Sequence, residues 1–434
     1  MRTVTSRLLL AGSVALLGVA GVVSHAQTPQ TEGAVPTFAH DVAPILYANC
    51  VGCHRPGEIA PMSLLTYADA RPWAQAIGRR VGDGSMPPWH ADAPLDTFAN
   101  ERRLTPAQKD VIARWAAGGA PLGDARDMPA PPAFADGWQI GTPDLVFEMT
   151  EDYSVPARGE IQYENFYIPT HFTEAKWVKA IEARPGNRAL VHHILVYYEA
   201  PPGEPRVPPI LQPNQRDNDG VEHQSGLRPS QRPIGPSRLI ATYAPGTNPQ
   251  VLPAGTAVRL PPGGVLHLQM HYTANGKAGT DRSKVGLVFA DAPPATEIRV
   301  SQFLNARLVI PPGAADAAIS TDVAFAQDAT VWGLFPHTHV RGKRWSYVLT
   351  LPDGTSTPIL SVPKYDFNWQ TYYMFKEPLQ VPKGAKIVST AWYDNSAANR
   401  SNPDPSIEVH WGDQTWQEMQ YTGILYSARA AAPR

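Results

Sequence analysis

The chain has 434 residues, with 37 Lys and Arg against 39 Asp and Glu, a formal net charge of −2 and no long basic run. That balance excludes a nucleic-acid binder and a protein held on an acidic membrane by charge alone. The 45 prolines, lying between short apolar alternations, exclude a helical bundle and favour loop-rich β architecture.

Arg2 and Arg7 precede an apolar run from Leu8 to Val23, and Ser24-His25-Ala26 offers small residues where a signal peptidase cuts. Residues 1–26 therefore read as a secretory signal peptide. The run is too short, and too closely followed by Gln27-Thr28-Pro29-Gln30, for a membrane span. No later stretch is long and apolar enough either, so the mature protein is expected in a bacterial periplasm without a membrane span. Roughly 400 residues remain, enough for two or three domains.

Residues 37–122 read as helical. Phe38, Val42, Ile45 and Leu46 recur at helical spacing. Thr105-Pro106 supplies an N-cap and first helical residue, Leu104, Val111, Ile112 and Trp115 are apolar positions, and Gly118-Gly119 ends the helix. Between them lies Cys50-Val51-Gly52-Cys53-His54, the attachment sequence of a c-type haem. Thioethers form through Cys50 and Cys53, and His54 is the proximal iron ligand. The alternatives for such a pair are a disulfide or another metal. These are the only two cysteines, so a chain that commits them to haem has no structural disulfide. For the distal ligand, Met86 in Ser85-Met86-Pro87-Pro88-Trp89 is preferred to Met62, and His90 could displace either. A Met/His pair closes both axial positions and favours electron transfer over oxygen binding. Helices on either side of the haem motif resemble a small class I cytochrome c.

Residues 123–140, rich in Pro, Ala and Asp, read as a linker. Short strands are then expected at Leu145–Met149, Ile161–Ile168, Trp177–Ala183, Leu190–Tyr198, Val265–Tyr272 and Val285–Phe289. A second set is expected at Ala329–Phe335, Trp345–Leu351, Leu379–Val381, Lys386–Tyr393 and Gln420–Tyr426. They divide into β blocks over 141–296 and 297–427, expected as paired sandwiches. Pro201 to Arg238 has no periodicity and reads as a disordered insertion or a lid.

Of 13 histidines, those in the β region gather in pairs. His337 and His339, two apart on a strand, point to one face and can reach one metal. His267 and His271 also share a face. His192 and His193 are adjacent, so a strand that aims both at one ion must bulge, or one ring must use its other nitrogen. With no spare thiolate, a cysteine zinc site is excluded. Imidazole-rich sites suit copper, zinc or iron, and a thioether added to two imidazoles favours copper(I). Met419 could complete a two-histidine, one-methionine site with His337 and His339, leaving a three-histidine site in the first block.

Val191-His192-His193-Ile194, Leu268-Gln269-Met270-His271-Tyr272, Pro336-His337-Thr338-His339 and Glu418-Met419 occur in this order. Together they resemble the copper type II, ascorbate-dependent monooxygenases, the family of peptidylglycine α-hydroxylating monooxygenase and dopamine β-hydroxylase. The resemblance implies two consecutive jelly-roll sandwiches, each with one copper, separated by a solvent cleft. It implies that His192, His193 and His271 hold an electron-transfer copper, with His267 not a ligand. His337, His339 and Met419 would hold the catalytic copper. The expected architecture is thus multidomain: a small all-α cytochrome c-like domain followed by two all-β jelly-roll-type sandwich domains.

The chain departs from the animal enzymes, which are disulfide-rich. Phe335 stands where the peptide-processing members carry an arginine for the substrate carboxylate, and Tyr421 and Gly423 fall at the family's substrate-contacting Asn and Tyr. A small apolar or aromatic substrate is therefore expected, with Phe335 and Tyr421 lining its pocket. The implied function is a haem- and copper-dependent monooxygenase with one haem c and two copper ions, using dioxygen and a periplasmic electron donor. The rivals are a non-catalytic copper-binding or electron-transfer haem protein, and an oxidase without an organic substrate.

Overall fold

A computed structural model of the chain describes residues 33–58, 60–134, 137–159, 161–201, 210–214, 237–244, 247 and 249–429. The signal-peptide region and most of the 201–238 segment lie outside the described residues.

Strands form where alternation puts one face in a core. Lys386–Tyr393 is representative: Ile387, Ser389, Ala391 and Tyr393 are buried while the residues between them are partly exposed. The expected strands are present, with boundaries moved by a few residues. They are arranged in six sheets. One four-stranded sheet runs Glu164–Pro169, Val265–Tyr272, Val191–Glu199, Ser237–Tyr243 and carries the first histidines. Another runs Arg299–Leu304, Tyr421–Ala428, Ala329–His337, Tyr373–Val381 and carries His337 at the end of a strand. A six-stranded sheet built on Lys176–Arg184 and Lys284–Phe289 backs the first, and a five-stranded sheet built on Gly342–Thr350 and Lys386–Tyr393 backs the second. Within the 201–238 segment, Leu211–Pro213 is a short strand on the edge of that five-stranded sheet, paired with Ala317–Phe325.

The expected fold class is overturned. The chain is mostly β, with 38% strand and 12% helix, and the described residues contain no separate all-α domain. The α-helices are short: Ala43–Asn49, Tyr67–Ala70, Ala74–Gly82 and Pro106–Ala117. Pro106–Ala117 begins with a Thr105/Gln108 capping box and buries Ile112, Trp115 and Ala116. The helices share an apolar cluster around Phe38, Leu46 and Trp115, but Pro36–Arg434 form one compact unit.

The physical reason lies in the segment between the helices. Trp89 and Phe98 leave the helical cluster and enter the core of the C-terminal sheets beside Tyr373 and Phe375. Ala99 N–H donates to Met374 O at 2.7 Å, Lys376 N–H to Thr97 O at 3.0 Å, and Asp92 N–H to Ser361 O at 2.8 Å. Nor are the β blocks independent sandwiches. One core joins Ile194, Leu266 and Tyr272 of the first block to Val300, Phe335, Tyr372 and Leu425 of the second. Apolar alternation reveals a buried face without saying which core will bury it. No helix among the described residues is long and apolar enough to cross a membrane.

Candidate metal centre

His193 pairs with His271 across the sheet, but the next pair is Val191 with Tyr272, so His192 is the extra residue of a β-bulge. The bulge turns His192 to the same side as His193, one of the two ways in which adjacent histidines can reach one ion. The three rings converge through one kind of nitrogen. His192 Nδ1 lies 3.3 Å from His193 Nδ1, and His271 Nδ1 lies 3.2 Å from His193 Nδ1. Ligand nitrogens about 2.0 Å from a tetrahedral ion stand about 3.3 Å apart, so the spacing fits a metal. All three rings have their pKa values lowered, chiefly by burial, which takes His271 down to about 3. They are held neutral, the form that ligates.

The outer nitrogens face partners from the second block. His271 Nε2 lies 3.3 Å from Thr415 Oγ1, and His192 Nε2 lies 3.5 Å from Asn368 Oδ1. Tyr163 packs against His193 and His271 with ring centroids 5.3 and 4.8 Å apart. His267 is spent elsewhere. It is buried, with Nδ1 3.0 Å from Glu199 Oε1 and Nε2 2.7 Å from Asn165 Oδ1, between the rings of Tyr167 and Tyr197.

The second pair uses the opposite nitrogens. His337 Nδ1 lies 2.6 Å from Gln370 Oε1, and His339 Nδ1 lies 3.1 Å from Gln417 O. Both acceptors are oxygens, so each Nδ1 carries the proton and each Nε2 keeps its lone pair. The His339 Nε2 is buried with no hydrogen-bond partner among the described residues, an orphan that a metal would satisfy. The rings stand 5.2 Å apart at 81°. Burial lowers both pKa values, that of His337 to about 4.

Strand Tyr421–Ala428 pairs His337 with Tyr421, and Met419 lies two residues before that strand, half-buried. The turn after His337 is held by Glu418, whose carboxylate accepts from His339 N–H and Arg341 N–H, both at 2.7 Å. Arg341 is fully buried and donates to Asn395 Oδ1 at 2.9 Å and Trp416 O at 2.8 Å. A Cβ at Gly342 would overlap the Thr338 hydroxyl, so this turn can close only on glycine.

The two sets are neighbours. The Phe367 ring stacks on His192 at 5.2 Å and lies 5.9 Å from that of His339. One aromatic ring stands where the resemblance implied a solvent cleft. Phe335, expected to line a substrate pocket, is instead core, 1% exposed and packed on Tyr372. Tyr421 stands 5.9 Å from the His337 ring, and its hydroxyl is buried without a partner among the described residues.

Cys50 and Cys53 are free thiols, and burial pushes the Cys50 thiol up to about 12. His54 Nδ1 lies 3.2 Å from Met62 O, which fixes the proton there and frees Nε2 for an iron. The Met62 main chain therefore stands behind the ring, away from a distal position. Cys53 lies at a small charged cleft with Glu58, Glu182, Arg188, Tyr243 and Thr247. Two thiols and a free imidazole nitrogen are the donor set that a covalently held haem would use. Met86 is half-buried in the turn after Ala74–Gly82, and His90 lines a second small cleft with Arg102, Thr247, Trp369 and Gln370.

Gln370, Phe367, Asn368, Thr415, Tyr163 and Arg341 carried no signal of their own in the sequence. Of these only Arg341, two residues after His339, lies next to a motif, whereas Glu418 stands within one.

No family model matches the chain, and no curated protein does. Among solved structures, infectious bursal disease virus, Gx strain, is similar at a TM-score of 0.20 and 9% identity, over 70% of this chain and 76% of that one. Allantoicase from Saccharomyces cerevisiae is similar at a TM-score of 0.18 and 5% identity, over 64% and 80% of the two chains. Likenesses this weak bear on neither fold nor function.

Proposed function

We propose that this protein is an exported haem- and copper-dependent monooxygenase resembling the copper type II, ascorbate-dependent enzymes. The reading rests above all on two facing imidazole sets of opposite nitrogen use, three Nδ1 atoms in one and two Nε2 atoms in the other. Copper bound at His192, His193 and His271 and at His337, His339 and Met419 would supply one-electron redox chemistry and the activation of dioxygen, and haem on Cys50, Cys53 and His54, with Met86 as distal ligand, would supply electrons from a periplasmic donor. The reaction converts an organic C–H and dioxygen, with two electrons and two protons, into C–OH and water.

The chain's own residues do the positioning. Gln370 and the Gln417 carbonyl hold the His337 and His339 tautomers. Glu418 clamps the turn through two backbone N–H groups. Thr415 and Asn368 orient His271 and His192. Phe367 lies against rings of both sets and would keep them close for the electron step. The Tyr421 hydroxyl, buried without a partner among the described residues, would help to orient a small apolar or aromatic substrate beside His337.

Metal analysis of protein matured in a bacterial periplasm tests the reading. One covalent haem and two coppers are expected, and His337→Ala or His339→Ala should lose one copper and keep the haem. Zinc alone, or one copper in the wild type, would refute the two-copper assignment. Dioxygen uptake coupled to a hydroxylated product separates a monooxygenase from an oxidase, and absence of uptake with reductant would leave a non-catalytic copper-binding or electron-transfer protein.

A further inference from the structure

The loop that carries Cys50, Cys53 and His54 is joined to the first β block by one buried carboxylate. Glu58 stands four residues after His54, with 4% of its side chain exposed. Arg55 Nη2 donates to Glu58 Oε1 at 3.0 Å and Glu58 N–H to Arg55 O at 3.2 Å, which closes the loop on itself. The other carboxylate oxygen, Oε2, lies 3.0 Å from Arg188 Nη2 of the first block. Arg184 Nη2 stands 3.8 Å from Glu58 Oε1, and Arg184 Nη1 donates to Glu182 Oε1 at 2.9 Å. Glu182 Oε2 in turn accepts from Gln139 N–H at 2.6 Å and Ile140 N–H at 3.2 Å, and the Arg55 guanidinium lies 3.9 Å from the centre of the Phe134 ring. Charges therefore alternate from the loop, through the block, to the end of the segment that connects them. Buried ion pairs add little net stability, but they hold one geometry, because a charge displaced from its partner is left buried and unpaired.

Both sides of this junction are stiff. Arg188 lies four residues before His192, in the turn that enters strand Val191–Glu199. Asn187 N–H donates to Asp281 Oδ1 at 2.7 Å, Asn187 Nδ2 to Thr280 O at 3.1 Å, and Val191 N–H to Asn187 O at 3.1 Å. The strand then runs into the bulge that turns His192 and His193 to one side. In the loop, His54 N–H donates to Cys50 O at 2.9 Å and Ala60 N–H to Cys53 O at 3.3 Å. Glu58 thus links a braced piece of chain with the haem-attachment residues to a braced piece with the first imidazole set.

We propose that Glu58 is a positioning residue for electron transfer: its contact with Arg188 holds the haem-attachment loop at one distance from the His192/His193/His271 copper, so that electrons pass between fixed stations without a swing of the helical segment. The proposal rests on the haem and copper reading above. A neutral amide at position 58 would keep the shape of the side chain and lose the charge that the guanidiniums face.

The test uses matured holoprotein with Glu58→Gln, Arg188→Gln, the double variant, and Asp110→Asn as an exposed control. Reoxidation of the haem, after reduced protein is mixed with dioxygen, is followed by stopped-flow absorbance with and without sucrose. Backbone hydrogen exchange is followed by mass spectrometry. In the wild type and the control, the rate should not respond to viscosity. In each single variant it should fall severalfold and fall further in sucrose, a response that an altered haem potential alone would not produce. Exchange should quicken over residues 50–58 and at Gln139 and Ile140. The double variant should be no slower than either single one, because both remove the same contact. Should Glu58→Gln fail to mature, Glu58→Asp, which keeps the charge and shortens the reach, must show a smaller loss with the same response to sucrose. A wild-type rate in the position-58 variant that matures, a viscosity-dependent wild type, or losses that multiply in the double variant would overturn the role of Glu58 and leave the haem and copper reading intact. Wild-type protein without covalent haem, or without copper at His192, His193 and His271, would overturn that reading and the proposal with it.

Discussion

Gln370→Leu is the sharpest probe of the second imidazole pair. Its amide is oriented by donation to Phe367 O at 3.0 Å, and its oxygen meets His337 Nδ1 at 2.6 Å in a fully buried setting. Leucine fills the space but leaves the Nδ1–H with no acceptor. An unsatisfied buried donor costs about 1–3 kcal/mol, and loss of such an outer partner weakens metal binding about 10–100-fold, or about 1.4–2.7 kcal/mol. The ring would also be free to exchange its proton to Nε2, the nitrogen that must ligate. Competition with a copper(I) chelator should show one copper weakened by that factor. The other copper and the haem content should be unchanged and serve as internal controls. Gln370→Glu keeps an acceptor at the same place and should bind nearly as the wild type does. Unchanged affinity in the Leu variant, or equal weakening at both coppers, would refute the assignment of Gln370 to the His337 ring.

Thr415→Val removes the hydroxyl 3.3 Å from His271 Nε2 and should weaken only the His192/His193/His271 copper, as read by the same chelator competition. Met419→His should still bind metal but lose most turnover, measured as hydroxylated product per dioxygen, and full activity would mean that another group completes the site. Phe98→Ala deletes a buried ring packed on Trp89, Tyr373 and Phe375 and should cost about 3–5 kcal/mol of global stability. In urea its unfolding should stay one transition shared by helical and β signals, whereas loss confined to the helical signal would restore an independent helical domain. Burial raises the Asp413 carboxyl from 3.8 to about 6, so the native state holds that proton more tightly than the unfolded chain. Its contribution is present below about pH 4 and is lost as pH rises through about 6, up to about 3 kcal/mol. Asp413→Asn should remove that slope from urea-derived stabilities, and an identical pH profile would falsify the assignment.

Much of the β framework could be read from the chain because alternation has a period that burial enforces. Lys386–Tyr393 and Val265–Tyr272 are where the pattern put them. A bulge at His192 was one of two ways for adjacent histidines to share a target, and it is the one present. Contacts made by loops were not legible. Gln370 is 33 residues from His337, in a stretch without periodicity, and nothing in its neighbours marks it. The embedding of the helices was hidden for a different reason. Trp89 and Phe98 are apolar in either setting, and only the fold decides that they fill the core beside Tyr373 and not one beside Trp115.

One loop explains why the two imidazole sets act as a unit. Tyr365 accepts from Thr338 N–H at 3.2 Å and donates to Thr338 O at 2.8 Å, gripping the residue between His337 and His339. Two residues on, Phe367 lies against rings of both sets. Asn368 then reaches His192, and Gln370 reaches His337. Trp369, Gln370 and Thr371 go on to line the cleft that also holds Arg102 and His90. A displacement of this loop cannot relax one set without disturbing the other, because the same few residues fix the tautomer of His337, the outer nitrogen of His192 and the ring between them. The cross-bracing follows from the shared core. Two freely hinged β blocks could not keep hydrogen bonds of 2.6 and 3.5 Å on opposite sides of one loop, whereas blocks joined through Phe335, Tyr372 and Leu425 can.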